Sequence, residues 1–281
     1  MKKLSNIEKN VIQDFGDEWN NYNQSSININ ELKESFNLYF KIFPKKFLSS
    51  KYQGFDMGCG SGRWAKLVAP RVRRLNCIDP SDKALKVARK NLKKSKNVKF
   101  YNNSVNEKVL KKNSQDFGYC LGVLHHMKST QEGINSCYKI LKVNRPFLIY
   151  LYYNLDNKPG WFQIIWRISD IFRKIISIQT FSIKKFVTLT IAIFIYWPLA
   201  KLSWILNFLG FNTINIPLSQ YKDRTFYFMK TDALDRFGTK LEKRYSRKEI
   251  RSMLKKAGFN NIKFSSKAPY WVVIGWKKRK S

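Results

Sequence analysis

The sequence predicts an α/β protein with a doubly wound, seven-stranded sheet, and two observations support this prediction. Between residues 51 and 153, short apolar runs alternate with helical patterns, which is typical of parallel strands joined by crossover helices. Near the C-terminus a helix is followed by two strands and a short turn, so the sheet is expected to end in an antiparallel hairpin. We expect the core to occupy 51–153 and 246–281. An N-terminal helical leader covers 1–50, and an apolar helical insertion at 154–245 separates strand 5 from the last helix.

The elements of this core follow from local patterns. Strands are predicted at 52–57, 73–78, 98–102, 116–121, 146–153, 259–264 and 270–276. Helices are predicted at 61–69, 81–94 and 130–141. The last helix is expected to begin at the capping box Ser246-Arg247-Lys248-Glu249, and Gly258 stands where a helix C-cap belongs.

The charge balance is strongly basic, with 53 Lys and Arg against 19 Asp and Glu and a formal net charge of +34. Such a field attracts nucleic acid, anionic lipid or an anionic substrate. The lysines are spread along the chain, and no basic motif interleaved with aromatic residues is recognisable. Nucleic acid therefore stays open as a partner but is not favoured.

The four cysteines, Cys59, Cys77, Cys120 and Cys137, form no Cys-x-x-Cys pair and have no histidine at metal-ligand spacing. This usage indicates reduced thiols in a cytoplasmic protein, with neither a disulfide framework nor a metal site. The first six residues are polar, so we do not expect a signal peptide.

The segment Asp56-Met57-Gly58-Cys59-Gly60-Ser61-Gly62 joins the first predicted strand to a helix. Glycines at such a turn let the backbone approach a ligand, and the helix N-terminus offers free amides. A dinucleotide loop places its third small residue five positions after the first, where this chain has Arg63. A third glycine after four positions and an acid that opens the loop favour S-adenosylmethionine, whose carboxylate and amino group can meet amides and an acid.

Polar residues after the next strands fit the same cofactor. Asp79 ends the second strand, where its carboxylate can accept hydrogen bonds from both ribose hydroxyls; a turn or capping role before Pro80 is the alternative. Asn103 and Ser104 follow the third strand, where they could meet an adenine ring or simply form a turn. Leu121 ends the fourth strand beside the expected position of the reactive methyl group.

These motifs together resemble a class I S-adenosylmethionine-dependent methyltransferase of the small-molecule branch, over residues 51–153 and 246–276. Asp116-Phe117, the run from Gly122 to His126 and Leu141-Lys142 also match that family. The resemblance implies a Rossmann-like fold and S-adenosylmethionine as the cofactor. The residues expected to bind it are Asp56, Gly58, Cys59, Gly60, Gly62, Asp79, Asn103, Ser104 and Leu121.

Two further features bear on this resemblance. The segment Phe15-Gly16-Asp17-Glu18-Trp19, followed by Tyr22, is similar to the leader of such enzymes, in which an N-terminal helix closes over the site. The family usually has Pro-Gly-Gly before the fifth strand, whereas this chain has Val143-Asn144-Arg145. We expect this departure to affect the local turn and not the chemistry.

Methyl transfer is an in-line displacement, so the protein mainly has to align the acceptor and exclude water. A hydroxyl or carbon acceptor would also need a base. The candidates are His125 and His126, the two histidines of the chain, and Asp235 in the insertion. The histidines could instead only cap a turn, and Asp235 could form an internal ion pair that fixes a lid.

The insertion at 154–245 is rich in aromatic and apolar residues. Its longest apolar run, 186–200, has fewer than the roughly 20 residues that a membrane span needs and contains Pro198, so a spanning helix is not expected. Helices over a substrate pocket are the first interpretation, and peripheral contact of 161–211 with the inner face of a membrane is the second.

A large apolar lid favours a small or lipid-linked organic acceptor, methylated at oxygen, nitrogen or carbon. There are two alternatives. One is an RNA methyltransferase, and the other is a non-catalytic membrane- or nucleic-acid-associated protein on this scaffold.

Overall fold

The structure, a computed structural model, describes residues 6–22 and 28–279. The chain divides into two compact units. The first comprises residues 1–154 and 241–281, and the second comprises residues 155–240. Residues 1–5 and 23–27, which belong to the predicted leader, lie outside the described residues, as does the polar start on which the signal-peptide expectation rests.

The first unit is built on one seven-stranded sheet. Its strands are β1 (Gln53–Met57), β2 (Arg74–Asp79), β3 (Val98–Asn102), β4 (Phe117–Leu121), β5 (Pro146–Tyr150), β6 (Phe259–Phe264) and β7 (Val272–Lys277). Their order across the sheet is β3-β2-β1-β4-β5-β7-β6. Strands β1 to β5 pair in parallel, whereas β7 lies antiparallel between β5 and β6. The predicted fold class is therefore confirmed.

Helices flank this sheet on both faces. They are α1 (Asn6–Asn21), α2 (Ile29–Tyr39), α3 (Ala65–Val68), α4 (Asp82–Asn91), α5 (Thr130–Ile140) and, near the C-terminus, α10 (Arg247–Ala257). One apolar cluster packs α2, α3 and α4 against the sheet around Phe117 and Tyr119. A second cluster packs α5 and α10 against the other side around Phe55 and Phe147. This two-sided burial explains why the parallel strands are apolar along their length.

Local signals determine where several helices begin and end. The Ser81 hydroxyl caps α4 by accepting the Ala84 N–H, and Ser246 and Glu249 form the predicted capping box of α10. Gly258 ends α10 with a φ of +105°, a conformation that glycine adopts without steric cost. The expected starts of both helices and the C-cap are confirmed.

The helix predicted at 61–69 is wrong in extent. Gly62 adopts a left-handed φ of +76°, so α3 begins only at Ala65. After Val68 the chain continues as a 3₁₀ turn, Ala69–Arg71, that contains Pro70. Proline has no N–H to donate to an α-helical hydrogen bond, so it does not support a longer helix there.

The fifth strand also ends earlier than the predicted residue 153. Strand β5 ends at Tyr150, and Tyr153 instead forms an isolated bridge with Tyr245. The turn before β5 contains Asn144 with a φ of +59°, where the resembling family usually has glycine. Asparagine is one of the few side chains that tolerate this conformation, so the turn keeps its shape without the glycines.

The second unit consists of α6 (Gly160–Ser177), α7 (Phe181–Ile191), α8 (Trp197–Phe208) and α9 (Phe226–Gly238). A π-helical turn, Ala192–Tyr196, joins α7 to α8. The result is a continuous helix, Phe181–Phe208, of 28 residues. Among the described residues it is the one helix long and apolar enough to cross a membrane. The sequence alone did not anticipate that its apolar runs would join across Lys201.

Candidate active site

The turn after β1 forms a tight backbone loop before α3. Gly58 and Gly60 have positive φ angles, +77° and +52°. A Cβ at Gly60 would lie 2.9 Å from Trp19 Nε1, and a Cβ at Gly58 would lie 2.4 Å from Val123 Cγ2. Both the backbone conformation and the available space therefore require glycine at these two positions.

Asp79, the last residue of β2, holds this loop through its carboxylate. Its Oδ2 accepts the Gly60 N–H at 2.9 Å, and its Oδ1 accepts the Ser81 N–H at 2.9 Å. Burial raises the pKa of Asp79 to about 6 because the charged form loses its water, and the two backbone donors oppose the rise. Each carboxylate oxygen can accept more than one hydrogen bond, so capacity remains for hydroxyl donors.

Asp56, on β1, is buried behind the loop and has an Oδ2 atom with no hydrogen-bond partner. Burial raises the pKa of Asp56 to about 8; the Tyr119 hydroxyl lowers it, Asp79 adds to the rise, and Arg63 lowers it. A carboxyl group in this state is mostly protonated near neutral pH. An ammonium group nearby would favour its ionised form.

A cavity opens in front of the loop. The cavity volume is about 130 Å³. The glycine loop, Asp79 and Ser104 supply its polar wall. Its apolar wall is formed by Val11, Ile12, Phe15, Trp19, Leu121, Val123 and Met127.

Helix α1 supplies the aromatic side of this cavity. The Trp19 indole lies directly over Gly60, and the Phe15 ring meets the His126 ring edge-on, with centroids 4.9 Å apart. Asp17 forms an ion pair with Lys83 of α4, which ties α1 to the first unit. Helix α1 is thus positioned to keep water away from the loop.

His126 lies in the cavity wall, after β4. Its Nδ1 lies 2.7 Å from the Leu241 carbonyl oxygen, which can only accept a hydrogen bond. In the neutral ring the proton therefore resides on Nδ1, and Nε2 carries the free lone pair. Nε2 is buried and has no hydrogen-bond partner within residues 6–22 and 28–279. A neutral imidazole arranged in this way can accept a proton from a neighbouring group.

His125 occupies a different environment although it is adjacent in sequence. The ring is fully buried, stacks on Tyr152 with centroids 3.8 Å apart, and leaves both nitrogens without a hydrogen-bond partner. Burial lowers the pKa of His125 well below its usual value, and His126 and Arg244 lower it further. His125 therefore stays neutral and does not line the cavity.

The cavity wall brings together seven of the residues that the sequence predicts for the site. They are Gly58, Cys59, Gly60, Asp79, Ser104, Leu121 and His126. Gly62 lies outside this wall and packs toward Leu92. The Asn103 amide donates to Glu107 Oε2 at 3.0 Å, an arrangement that favours the turn role for Asn103. Asp235 lies on α9 in the second unit. The functional roles of all these residues remain predictions.

Several wall residues were missed at the level of sequence. Val105, Met127, Arg63 and Trp64 line the cavity, but none carries a chemical signature that marks a ligand site. Val11 and Ile12 precede the recognised leader motif on the same helix. Apolar wall residues resemble core residues in any sequence pattern, so only the tertiary structure distinguishes them.

Residues 55–149 match a family model described as a methyltransferase domain. The matched region contains the glycine loop, Asp79 and His126. The domain that carries the site is therefore a class I S-adenosylmethionine-dependent methyltransferase domain. The match confirms the family resemblance and the cofactor predicted from Asp56–Gly62 and Asp79.

A curated relative adds a more specific comparison. The ubiquinone biosynthesis O-methyltransferase of Nitrosomonas europaea is 34% identical over 89 residues, which are 31% of this chain and 38% of the relative. The chain thus spans little more than a third of the length of the relative that it matches. The similarity therefore covers less than a third of this chain.

Two solved structures share the fold at low sequence identity. A chain from the complex of the Haloferax volcanii Trm112 methyltransferase activator with a methyltransferase is 11% identical, with a TM-score of 0.52 and coverage of 89% of this chain and 93% of that one. A Bordetella parapertussis protein described as exported is 13% identical, with a TM-score of 0.51 and coverage of 88% and 68%. At such identities the likeness concerns the fold alone.

Proposed function

We propose that this protein transfers a methyl group from S-adenosylmethionine to a small or lipid-linked organic acceptor, with a hydroxyl oxygen as the favoured nucleophile. The observation that carries the proposal is that one cavity is lined both by the loop held by Asp79 and by His126, whose Nε2 has no hydrogen-bond partner among the described residues. A cofactor site and a proton acceptor in one enclosure are what oxygen methylation requires.

The residues at the loop fit this cofactor. S-adenosylmethionine supplies a methyl group already activated by its sulfonium. Asp79 has acceptor capacity for ribose hydroxyls, and Gly58 and Gly60 line the same cavity as Asp79. Asp56 is a buried acid that would ionise beside an ammonium group. Trp19 and Phe15 on α1 exclude water from the same space.

His126 is the base in this proposal. The Leu241 carbonyl oxygen holds the proton on Nδ1, so Nε2 is the atom that takes the proton from the acceptor hydroxyl. The acceptor oxygen forms a bond to the methyl carbon while the carbon–sulfur bond breaks. His125 and Asp235 are kept as predicted catalytic residues, but neither lines the cavity that His126 lines.

The class of the acceptor is inferred from the apolar wall of the cavity, which suits an aromatic or aliphatic skeleton. The Nitrosomonas europaea relative is named for O-methylation in ubiquinone biosynthesis, which supports a hydroxylated apolar acceptor for this chain. We also propose a cytoplasmic protein that makes peripheral contact with the inner face of a membrane through residues 161–211.

Calorimetric titration with S-adenosylmethionine tests the cofactor part of the proposal. The wild type is expected to bind, and Asp79→Ala is expected to bind at least tenfold more weakly because hydrogen bonds to a charged carboxylate contribute about 1.5–3 kcal/mol. Asp82→Ala is the matched control, since this neighbouring carboxylate is exposed and pairs with the exposed Lys86. Absence of binding to the wild type would refute the proposal.

The base and the acceptor are tested by transfer of a labelled methyl group. His126→Gln should lower turnover by about 10²–10⁴-fold and leave cofactor affinity within a few fold, because the ring acts on the acceptor. Labelled product should appear in lipid extract and not in total RNA. Incorporation into RNA alone would favour the RNA methyltransferase alternative over the acceptor class proposed here.

A further inference from the structure

Exposed apolar side chains are concentrated in one part of the second unit. Among the described residues, 24 large apolar side chains are exposed, and 21 of them lie between Trp161 and Ile214. The other three, Ile29, Leu38 and Val143, are scattered over the first unit. Single exposed apolar residues are normal on a soluble surface, whereas a dense group indicates a contact surface.

Helix α6 has its apolar face turned outward. The exposed positions recur every three or four residues and so share one face of the helix. They are Trp161, Ile164, Ile165, Ile168, Ile171, Phe172 and Ile175. The two buried positions of the helix, Arg173 and Ser177, are polar. Arg173 pairs with Asp170 and donates to the Thr239 carbonyl oxygen at 2.9 Å.

The long helix Phe181–Phe208 follows the same pattern. Phe186, Phe194 and Phe208 are 71%, 73% and 78% exposed. The buried face is mixed: it contains the polar residues Lys184, Thr188 and Ser203 and the apolar cluster residues Ala192, Tyr196 and Ala200. A helix in a water-soluble core buries its apolar face and exposes its polar one. Both α6 and the long helix instead expose large apolar side chains on their outward faces, which fits an apolar medium outside the unit.

The charges on this surface are of one sign. The exposed charged side chains between Gly160 and Phe208 are Arg167, Lys174, Lys185 and Lys201. Asp170, the acid of this segment, is mostly buried and engaged with Arg173 and Lys174. A second copy docked face to face would bring cations against cations, because a two-fold interface joins the same patch to itself. Anionic lipid head groups are instead complementary to them.

We propose that the outward faces of α6 and Phe181–Phe208 insert into the interface of a lipid bilayer that contains anionic lipids. The helices lie in the plane of the interface, because each has exposed cations along its length beside its exposed apolar side chains, as interfacial helices do. The exposed aromatic rings, including Trp161, Trp197 and Trp204, suit the head-group level. This inference specifies the proposed membrane contact, yet it does not depend on methyl transfer.

Co-sedimentation of the full chain with vesicles tests the proposal. The wild type should bind vesicles of phosphatidylcholine with about one-third phosphatidylglycerol more tightly than phosphatidylcholine alone, and added salt should reduce the difference. The triple variant Phe172→Gln, Phe186→Gln and Phe194→Gln should lose at least tenfold in partition coefficient. Its thermal unfolding should be unchanged because all three rings are exposed.

The matched control is the triple variant Ile29→Gln, Leu38→Gln and Val143→Gln, which removes exposed apolar side chains outside this surface and should keep vesicle binding.

Lys185→Ser with Lys201→Ser should weaken binding to the anionic vesicles and leave binding to neutral vesicles unchanged. Equal loss in both apolar triple variants would overturn the proposal. A stable dimer that does not bind vesicles would also overturn the proposal and would assign the surface to contact with a second copy. Vesicle binding and oligomeric state are both measured without cofactor or turnover. A failure of the membrane proposal can therefore be distinguished from a failure of the proposed methyl transfer.

Discussion

The Asp79 carboxylate accepts the backbone N–H of Gly60 at 2.9 Å. This single hydrogen bond links the end of β2 to the middle of the glycine loop, 19 residues earlier in the chain. The loop conformation and the proposed ribose contact therefore depend on the same carboxylate. Conditions that protonate Asp79 are expected to change both.

Cofactor affinity should therefore depend on pH. The pKa of Asp79 is raised to about 6 in the protein, and hydroxyl donors from a ribose favour its charged form. Below pH 6 binding then releases a proton from Asp79, so this carboxyl should lower affinity by about tenfold for each pH unit below that value. The pKa of Asp56, about 8, adds a separate decline that begins at higher pH. Calorimetry from pH 5 to 8 measures both, and Asp79→Asn should remove the part of the slope that appears below pH 6. An unchanged profile in Asp79→Asn would exclude this carboxyl as the cause.

Asp56 is expected to lower the stability of the cofactor-free protein as pH rises. Its pKa is about 8 in the folded state and 3.8 as the unperturbed value, so the folded state holds a proton that the unfolded state has released. The contribution of this bound proton to the free energy of unfolding is fully present below about pH 4 and is lost as pH rises through 8. Asp56→Asn removes this loss and should be more stable than the wild type at pH 8.

Thermal unfolding at pH 5 and pH 8 provides the measurement. We expect Asp56→Asn to gain about 1 kcal/mol at pH 8, or about 2–4 °C in Tm, with a smaller gain at pH 5. The exposed Asp82→Asn serves as the control. Cofactor affinity should fall in Asp56→Asn, because the variant lacks the carboxylate charge that would attract the cofactor ammonium. The same charge lowers the stability of the cofactor-free protein, so binding and stability make opposite demands on this residue. A variant less stable than the wild type at pH 8 would contradict the assignment.

Much of the fold could be predicted because its signals are local. The capping box at Ser246 and the cap at Gly258 are encoded within a few residues, and both appear in the structure as expected. The extent of α3 could not be predicted, because the left-handed φ of Gly62 is part of a loop held by β2. The sequence shows where the glycines lie, but it does not show that α3 begins only at Ala65.

The site and the insertion show where such prediction ends. His125 and His126 are the same residue type at adjacent positions. Distant contacts distinguish them: the Leu241 carbonyl oxygen, 115 residues away, bonds to His126, whereas the Tyr152 ring stacks on His125. The apolar stripe of α6 is visible in sequence, but a stripe does not reveal whether it faces a core or the outside. Contacts that are distant in sequence decide both questions.

Gly60→Ala should weaken cofactor binding at least tenfold. The added Cβ would lie 2.9 Å from Trp19 Nε1, and a left-handed φ costs a non-glycine residue roughly 1–2 kcal/mol. The loop and α1 would therefore have to separate. Gly160→Ala is the control, since nothing lies within 4 Å of a Cβ there. Calorimetric affinities of the two variants test this, and equal affinities would show that the loop tolerates a side chain.

Lys277→Met should destabilise the domain although it leaves the cavity intact. The buried Lys277 ammonium donates to Asn113 Oδ1 at 2.8 Å, to the Tyr138 carbonyl oxygen at 2.9 Å and to the Leu141 carbonyl oxygen at 2.8 Å. It thereby satisfies carbonyl groups at the C-terminal end of α5, where a cation is also favoured by the helix dipole.

Methionine fills a similar volume but donates nothing, so these acceptors would stay buried and unsatisfied. Each buried acceptor left without a donor costs about 1–3 kcal/mol, and partial relaxation of the structure reduces the sum. We therefore expect the free energy of unfolding, measured by urea denaturation, to fall by about 2–4 kcal/mol. Lys278→Met changes the exposed neighbour and should cost less than about 0.5 kcal/mol. Equal stabilities of the two variants would mean that Lys277 does not anchor β7 to α5. A large loss for Lys277→Met alone would identify this lysine as the buried cation that fixes the antiparallel end of the sheet.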